Sequence, residues 1–365
     1  MKKKTHPKEK IRSKKNRCRY TKKEKRKPTL KTKKLKERYA KSRRVFLGGN
    51  AKVTTKEFRK LNCNPAVRGK TPKEVDTCYT NDLLIKLKDA HNSKNASSAI
   101  TVNEPKEIWT ELKDKMSSCT AEDCWLDQLM DPGEKSRIDK ETFAPDQPDD
   151  WKGEKNPWLS NFDIYNVLFQ YETPYPHFKM VGPTPIDFDH KPQGDRCVWE
   201  DLCKFSIKDY QDQKKTKIGI VFNLDEHDKG GSHWVSMFID LEHNYLFFLD
   251  SAGDTMPDEI KVFVDRVTKD AKTQGITLTF YENAPVAHQT GESECGIYAI
   301  FFIITMLTLE KSEMKKLDDD MEMVTEPFKD YKEAIKFFKE KRIPDHFVTP
   351  FRTKYFNIPD SFLTT

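Results

Sequence analysis

Cys295 closes the polar stretch Gln289-Thr290-Gly291-Glu292-Ser293-Glu294-Cys295-Gly296, and the apolar run Ile297 to Leu307 follows at once. A polar turn that ends at a cysteine and opens a buried helix suits a nucleophile. Unpaired N–H groups and partial positive charge at a helix N-terminus favour thiolate over thiol. Gly296 keeps the chain beside the sulfur free of a side chain, so a substrate backbone could approach. On this stretch alone, a structural buried cysteine is the commoner reading. A cysteine nucleophile also needs a base and a group to orient it. Two candidates lie upstream, 17 residues apart: His233 after the Gly230-Gly231-Ser232 turn, and Asp250 before Ser251-Ala252-Gly253.

Local pattern supplies the elements that must position them. The alternating run after His233, Trp234 to Asp240, reads as a strand, and Tyr245 to Asp250 as a second. The link Glu242-His243-Asn244 is short, so the two are expected as antiparallel neighbours. His233 then starts one strand where Asp250 ends its partner, and the two side chains meet at one sheet edge. Lys217 to Leu224 and Ile276 to Tyr281 read as further strands, and Pro257 to Gln274 as an amphipathic helix. The helix Ile297 to Leu309 is too short to span a bilayer and is expected as a buried central helix. His288 is read as a loop residue, and His227 and His243 as exposed turn residues. Asp240 and Asp254 are weaker rivals to Asp250 for the orienting role.

His233-Trp234, Asp250, Gln289 and, five residues beyond, Cys295-Gly296 together resemble the Ulp1/adenain-type cysteine proteases. These include the SUMO proteases and the virion proteases of adenoviruses and large DNA viruses. The resemblance implies an α+β fold, with a central mixed sheet flanked by helices and the nucleophile at the N-terminus of a buried helix. It implies Cys295 as nucleophile, His233 as general base, Asp250 as orienter, and Gln289 with the Cys295 N–H as oxyanion donors. Trp158-Leu159 resembles the Trp-Leu motif at the start of that fold, which makes Trp158, with Trp234, a wall of a narrow groove for small residues. A core Trp on the amphipathic helix Ser160 to Tyr171 is the rival reading of Trp158. The family often carries an acid where Asn161 stands here. The chemistry implied needs no metal or organic cofactor.

Charge divides the chain. Residues 1–44 hold 23 Lys and Arg against 3 acidic residues, and the remainder holds 42 basic and 55 acidic. The basic tail, assigned to residues 1–49, has almost no apolar residues to bury and is expected to be disordered. It reads as a polyanion-binding arm or import signal, or as a plain solubilising tail; DNA is one candidate partner. No apolar segment of a secretory signal follows the basic residues. At its end, Gly48-Gly49 reads as a hinge or, by resemblance, as a self-cleavage site.

Residues 50–135 read as a helical module. Thr80 caps a helix through Ala90, Pro105 to Met116 puts Ile108, Trp109 and Leu112 on one face, and Ala121 to Met130 turns Trp125, Leu126 and Leu129 inward. Residues 136–153, polar with Pro145 and Pro148, are expected as a linker to a protease domain over 154–365. Cys63, Cys78, Cys119 and Cys124 lack zinc-site spacing. Eight cysteines without a signal peptide point to a reducing compartment and unpaired thiols.

The Leu61 to Pro65 segment, the module and the Arg342 to Phe356 segment resemble the proteases of large DNA viruses. That resemblance implies cleavage of viral structural polyproteins after Gly-Gly or similar pairs, in the virion or the viral factory of the host cytoplasm. Removal of a ubiquitin-like modifier from conjugates and a non-enzymatic DNA-binding core protein are the alternatives.

Overall fold

The computed structural model describes residues 58–363, apart from 155, 193, 318 and 319. The basic tail and Gly48-Gly49 lie outside the described residues. In the N-terminal part, α1 (Asn81–Lys94) starts at Thr80, whose hydroxyl accepts from the Leu83 amide at 3.3 Å. Helices α2 (Pro105–Lys115) and α3 (Asp123–Leu129) bury the side chains their spacing selects, Ile108, Leu112, Trp125, Leu126 and Leu129, while Trp109 is half-buried. These residues form a core with Leu61, Tyr79, Leu84 and Phe143.

Helix α4 (Pro132–Thr142) occupies part of the stretch expected as a linker. Its sequence is polar, but Asp131 caps it by accepting from the Gly133 and Glu134 amides, and Pro132 suits the first helical position. Trp151 lies in the main core, stacked edge-on against Phe356 at 4.9 Å between ring centres.

Three cysteine pairs are disulfide-bonded: Cys63–Cys78, Cys119–Cys124 and Cys197–Cys203. This corrects the expectation of unpaired thiols. That expectation came from compartment, whereas pairing depends on which Cα atoms the fold brings within reach, here 5.2, 5.6 and 6.3 Å.

The second part is built on a five-stranded mixed sheet: β1 (Phe178–Pro185), β2 (Lys217–Asn223), β3 (Trp234–Asp240), β4 (Tyr245–Leu249) and β5 (Thr279–Glu282), in that spatial order. The outer pairs β1–β2 and β4–β5 are parallel, and β2–β3 and β3–β4 antiparallel. Alternation sorts the side chains. Trp234, Phe238, Tyr245, Phe247 and Leu249 face one core, and Val235, Met237, Ile239, Leu246 and Phe248 face the other. Helix α5 (Asn161–Phe169) joins the first core and α6 (Asp258–Thr273) the second. Helix α7 (Cys295–Thr308), buried from Cys295 through Leu307, fills the first core, where α8 (Tyr331–Glu340) also packs. A hairpin of β6 (Glu310–Leu317) and β7 (Asp320–Pro327) separates those two helices. This is the α+β arrangement expected. Among the described residues no helix is long and apolar enough to cross a membrane.

Candidate active site

The register of β3 and β4 pairs Ser236 with Leu249. It therefore places His233, just before β3, beside Asp250, just after β4. His233 Nε2 lies 2.7 Å from Asp250 Oδ1, and the Cys295 side chain is near enough to the same imidazole to raise its pKa. Cys295 is buried, opens α7, and is the free cysteine among the described residues. With Nε2 committed to Asp250, Nδ1 is the nitrogen left for sulfur. Burial alone would lower the His233 pKa, but the bond to Asp250 and the nearness of Cys295 outweigh it and push it up to about 10.

The supports of this trio are polar and mostly buried. Asp250 Oδ1 accepts from the Ala252 amide at 2.8 Å. Asn283, 1% exposed, accepts from the Asp250 amide and donates to the carbonyls of Asp250 and Val286. On the His233 side, Asn223 Oδ1 accepts from the Ser232 and Asp225 amides, and the Leu224 amide donates to the His233 carbonyl. Gly231, at φ +88°, lies so close to Asn223 that a Cβ would sit 2.9 Å from its Nδ2. Asn223 and Asn283 escape sequence reasoning because a single Asn at or just past a strand end carries no pattern.

Gln289 is half-buried. Its Oε1 accepts from the Ser251 hydroxyl at 2.7 Å and its Nε2 donates to the Gly291 carbonyl at 2.8 Å, which leaves one amide hydrogen uncommitted. The Gln289 and His288 backbone amides both donate to the Ser251 carbonyl, tying this loop to the end of β4.

Gly296 does something other than admit a substrate. A Cβ there would sit 2.9 Å from Leu159 Cβ and 3.4 Å from Trp234 Cδ1, so the space is taken by protein. Trp234 is 8% exposed and donates from Nε1 to the Leu159 carbonyl at 2.9 Å. It thus fastens the Trp158-Leu159 segment to the start of β3. Trp158 is not a core residue: it is 50% exposed. Both tryptophans line a cavity of about 750 Å³ whose other walls include Pro183, Val198, Trp199 and Gly231. Asn161 is exposed; the buried acid of this helix is Asp163, which completes a capping box with Ser160.

Behind Cys295 lies a cation the sequence did not announce. Arg352 is 5% exposed, donates from Nη2 to the Ser293 carbonyl at 2.8 Å and stacks over Trp151. Burial lowers its pKa to about 10, against the pull of Glu294, Cys295 and Asp163.

The other histidines and acids lie elsewhere. His288, in its loop, is fully buried, accepts at Nδ1 from the Ile343 amide, and is pushed down to about 4 by burial, so it stays neutral. Exposed His227 pairs with Asp187. Asp240, at the far end of β3, is taken by Lys217 and His243.

Residues 205–336 match the Ulp1 protease family, C-terminal catalytic domain, so this part of the chain is a domain of that family. A protein of Acanthamoeba polyphaga mimivirus, provisionally named a thiol protease, is 29% identical over 259 residues, covering 65% of this chain and 82% of the relative. The SUMO-1 cysteine protease of African swine fever virus is 25% identical over 153 residues, 40% of this chain and 56% of that protein. The crystal structure of the African swine fever virus protease matches with a TM-score of 0.52 at 19% identity, over 82% of this chain and 97% of the other. At that identity the match speaks for the fold.

Proposed function

We propose that this chain, which carries an Ulp1-family domain over residues 205–336, is a cysteine endopeptidase that cleaves after small residues, in Gly-Gly-X-type sequences. The observation that carries the reading is the juxtaposition of Asp250, His233 and Cys295, with a 2.7 Å hydrogen bond between the first two. His233 takes the thiol proton, held in orientation by Asp250. The Cys295 sulfur attacks the scissile carbonyl, and its oxygen becomes an oxyanion held by the Gln289 amide and the Cys295 N–H. Each such donor is worth about 3 kcal/mol. The His233 imidazolium then gives its proton to the leaving amine, and water hydrolyses the thioester. Trp158 and Trp234 wall the groove, which supports a preference for small residues by steric exclusion.

Structural polyproteins of a virus are the substrates we favour, cut in the virion or in the viral factory of the host cytoplasm. The viral relatives support this. The tail of 23 basic residues, by charge alone, would hold such an enzyme on nucleic acid. The module over residues 50–135 would recruit substrate to the protease domain over residues 154–365. Removal of a ubiquitin-like modifier is the second reading, favoured by the name of the African swine fever virus relative.

Peptides carrying Gly-Gly-X and Ala-Gly-X decide between the readings when compared with SUMO conjugates. The expected result is peptide cleavage that disappears in Cys295→Ala. Cleavage confined to conjugates would favour the second reading, and cleavage that survives in Cys295→Ala would overturn both.

A further inference from the structure

We infer that Asp345, outside the family-matched residues 205–336, is a positioning residue for the oxyanion-binding loop that carries Gln289. The inference rests on the protease reading above.

The loop from Gln289 to Glu294 has no regular secondary structure of its own. Its conformation is therefore set by what its polar groups bind. At the Thr290-Gly291 turn, every donor on the outer side goes to one carboxylate. Asp345 Oδ2 accepts from the Thr290 hydroxyl at 2.6 Å, the Gly291 amide at 2.9 Å and the Thr290 amide at 3.1 Å. Oδ1 lies 3.2 Å from the same Thr290 amide and 3.1 Å from the Tyr298 hydroxyl, whose one hydrogen is shared with the Ile343 carbonyl at 2.7 Å. Two successive backbone N–H groups cupping an anion form a nest. The bonds to an ionised acceptor are the stronger kind. Burial alone would raise the Asp345 pKa, but the Thr290, Gly291 and Tyr298 bonds hold it below its ordinary value.

The chain of contacts then reaches the reacting atoms. Asp345 fixes the Gly291 amide, the Gly291 carbonyl receives one Gln289 Nε2 hydrogen at 2.8 Å, and Ser251 holds Gln289 Oε1 at 2.7 Å. One amide hydrogen of Gln289 is thereby fixed in direction and left for the oxyanion. Tyr298 lies one turn past Cys295 on α7. One carboxylate thus registers the oxyanion loop against the helix that carries the nucleophile.

The acceptor geometry predicts the effect of substitution. In Asp345→Asn the amide oxygen can replace only one carboxylate oxygen, the charge is lost, and the NH2 group meets the Thr290 N–H donor against donor, which loosens the turn. Thr290→Val removes a single bond and leaves the nest. Three readouts separate positioning from structure: kcat and KM on a Gly-Gly-X peptide, the rate at which iodoacetamide alkylates Cys295, and Tm. Alkylation needs the thiol but no oxyanion. For Asp345→Asn we expect kcat to fall about 100-fold, the loss of one oxyanion donor. KM should stay within about twofold, and alkylation should match the wild type. Thr290→Val should lose about tenfold, in the same pattern, because one bond of several is gone. A peptide aldehyde, whose adduct places an oxygen in the same position, should bind Asp345→Asn less tightly by the factor lost in kcat.

Wild-type kcat in Asp345→Asn would overturn the inference. So would alkylation and Tm falling in step with kcat in both variants. Absence of cleavage by the wild-type protein itself would instead overturn the protease reading and this role with it.

Discussion

Asp250 determines what His233 can do. Its carboxylate fixes Nε2 as the bonded nitrogen and holds the ring charge, at a contact where Asp250 is 2% exposed. Asp250→Asn should preserve the shape and lose the charge. We expect kcat to fall by about 10³–10⁴-fold with little change in KM. An NMR titration should also show the His233 pKa moving down from about 10. An unmoved pKa would separate the two residues. The same bond makes stability depend on pH. The folded value lies above the ordinary His value of about 6.5, so the native state holds this proton more tightly. Its contribution to stability is complete below about pH 6.5 and is lost as the pH rises towards 10. Chemical denaturation across that window should show a steeper loss for the wild type than for Asp250→Asn, and equal slopes would count against the assignment.

At the scale of elements, the site is a junction of three chain segments: the edge formed by β3 and β4, the start of α7, and the Trp158-Leu159 stretch before α5. Gly296 is where all three touch. Gly296→Ala would drive a methyl to 2.9 Å from Leu159. Urea denaturation should show a loss of about 1–3 kcal/mol, typical of overpacking. Peptide cleavage should fall with it, because relief requires α7 or the Trp158-Leu159 segment to move. Full stability in this variant would mean that the segment yields freely. Asn283 offers a second test. Its three bonds join the end of β4 to the loop after β5. Asn283→Ala leaves the buried Asp250 amide without its acceptor, at about 1–3 kcal/mol, while the Asp250 carbonyl keeps the Gly253 amide. We expect lowered Tm together with lowered kcat, since Asp250 would lose its place.

Among the described residues, contacts join parts far apart in the sequence. Asn357, 3% exposed, bonds the Asn62 amide and carbonyl and the Ala144 carbonyl, joining the C-terminal segment to the first helical core. Three disulfides add short-range ties, between cysteines 15, 5 and 6 residues apart. Intact mass should rise by six hydrogens on reduction, and Tm should fall, as each bridge of this loop size stabilises by about 2–4 kcal/mol. A mass unchanged by reductant would refute the pairing. By itself, the sequence determined the features that depend on near neighbours. The alternation of β3 and β4, the short link between them and the apolar run after Cys295 put His233, Asp250 and Cys295 in play, because period and turn length act within a few residues. It left β1 unread, because Gly182, Pro183 and Pro185 argue against a strand that only an edge position allows. It misjudged α4, whose helix is set by a cap and two buried residues rather than a stripe. The tertiary structure alone decided which cysteines meet, why position 296 must be glycine, and that Asp345 and Arg352 reach the nucleophile loop from 50 or more residues away. The contacts at Gly296, Asp345 and Arg352 join distant segments; the cysteine pairs span 15 residues or fewer, and all of them come into being only when loop closure and core packing have fixed the fold.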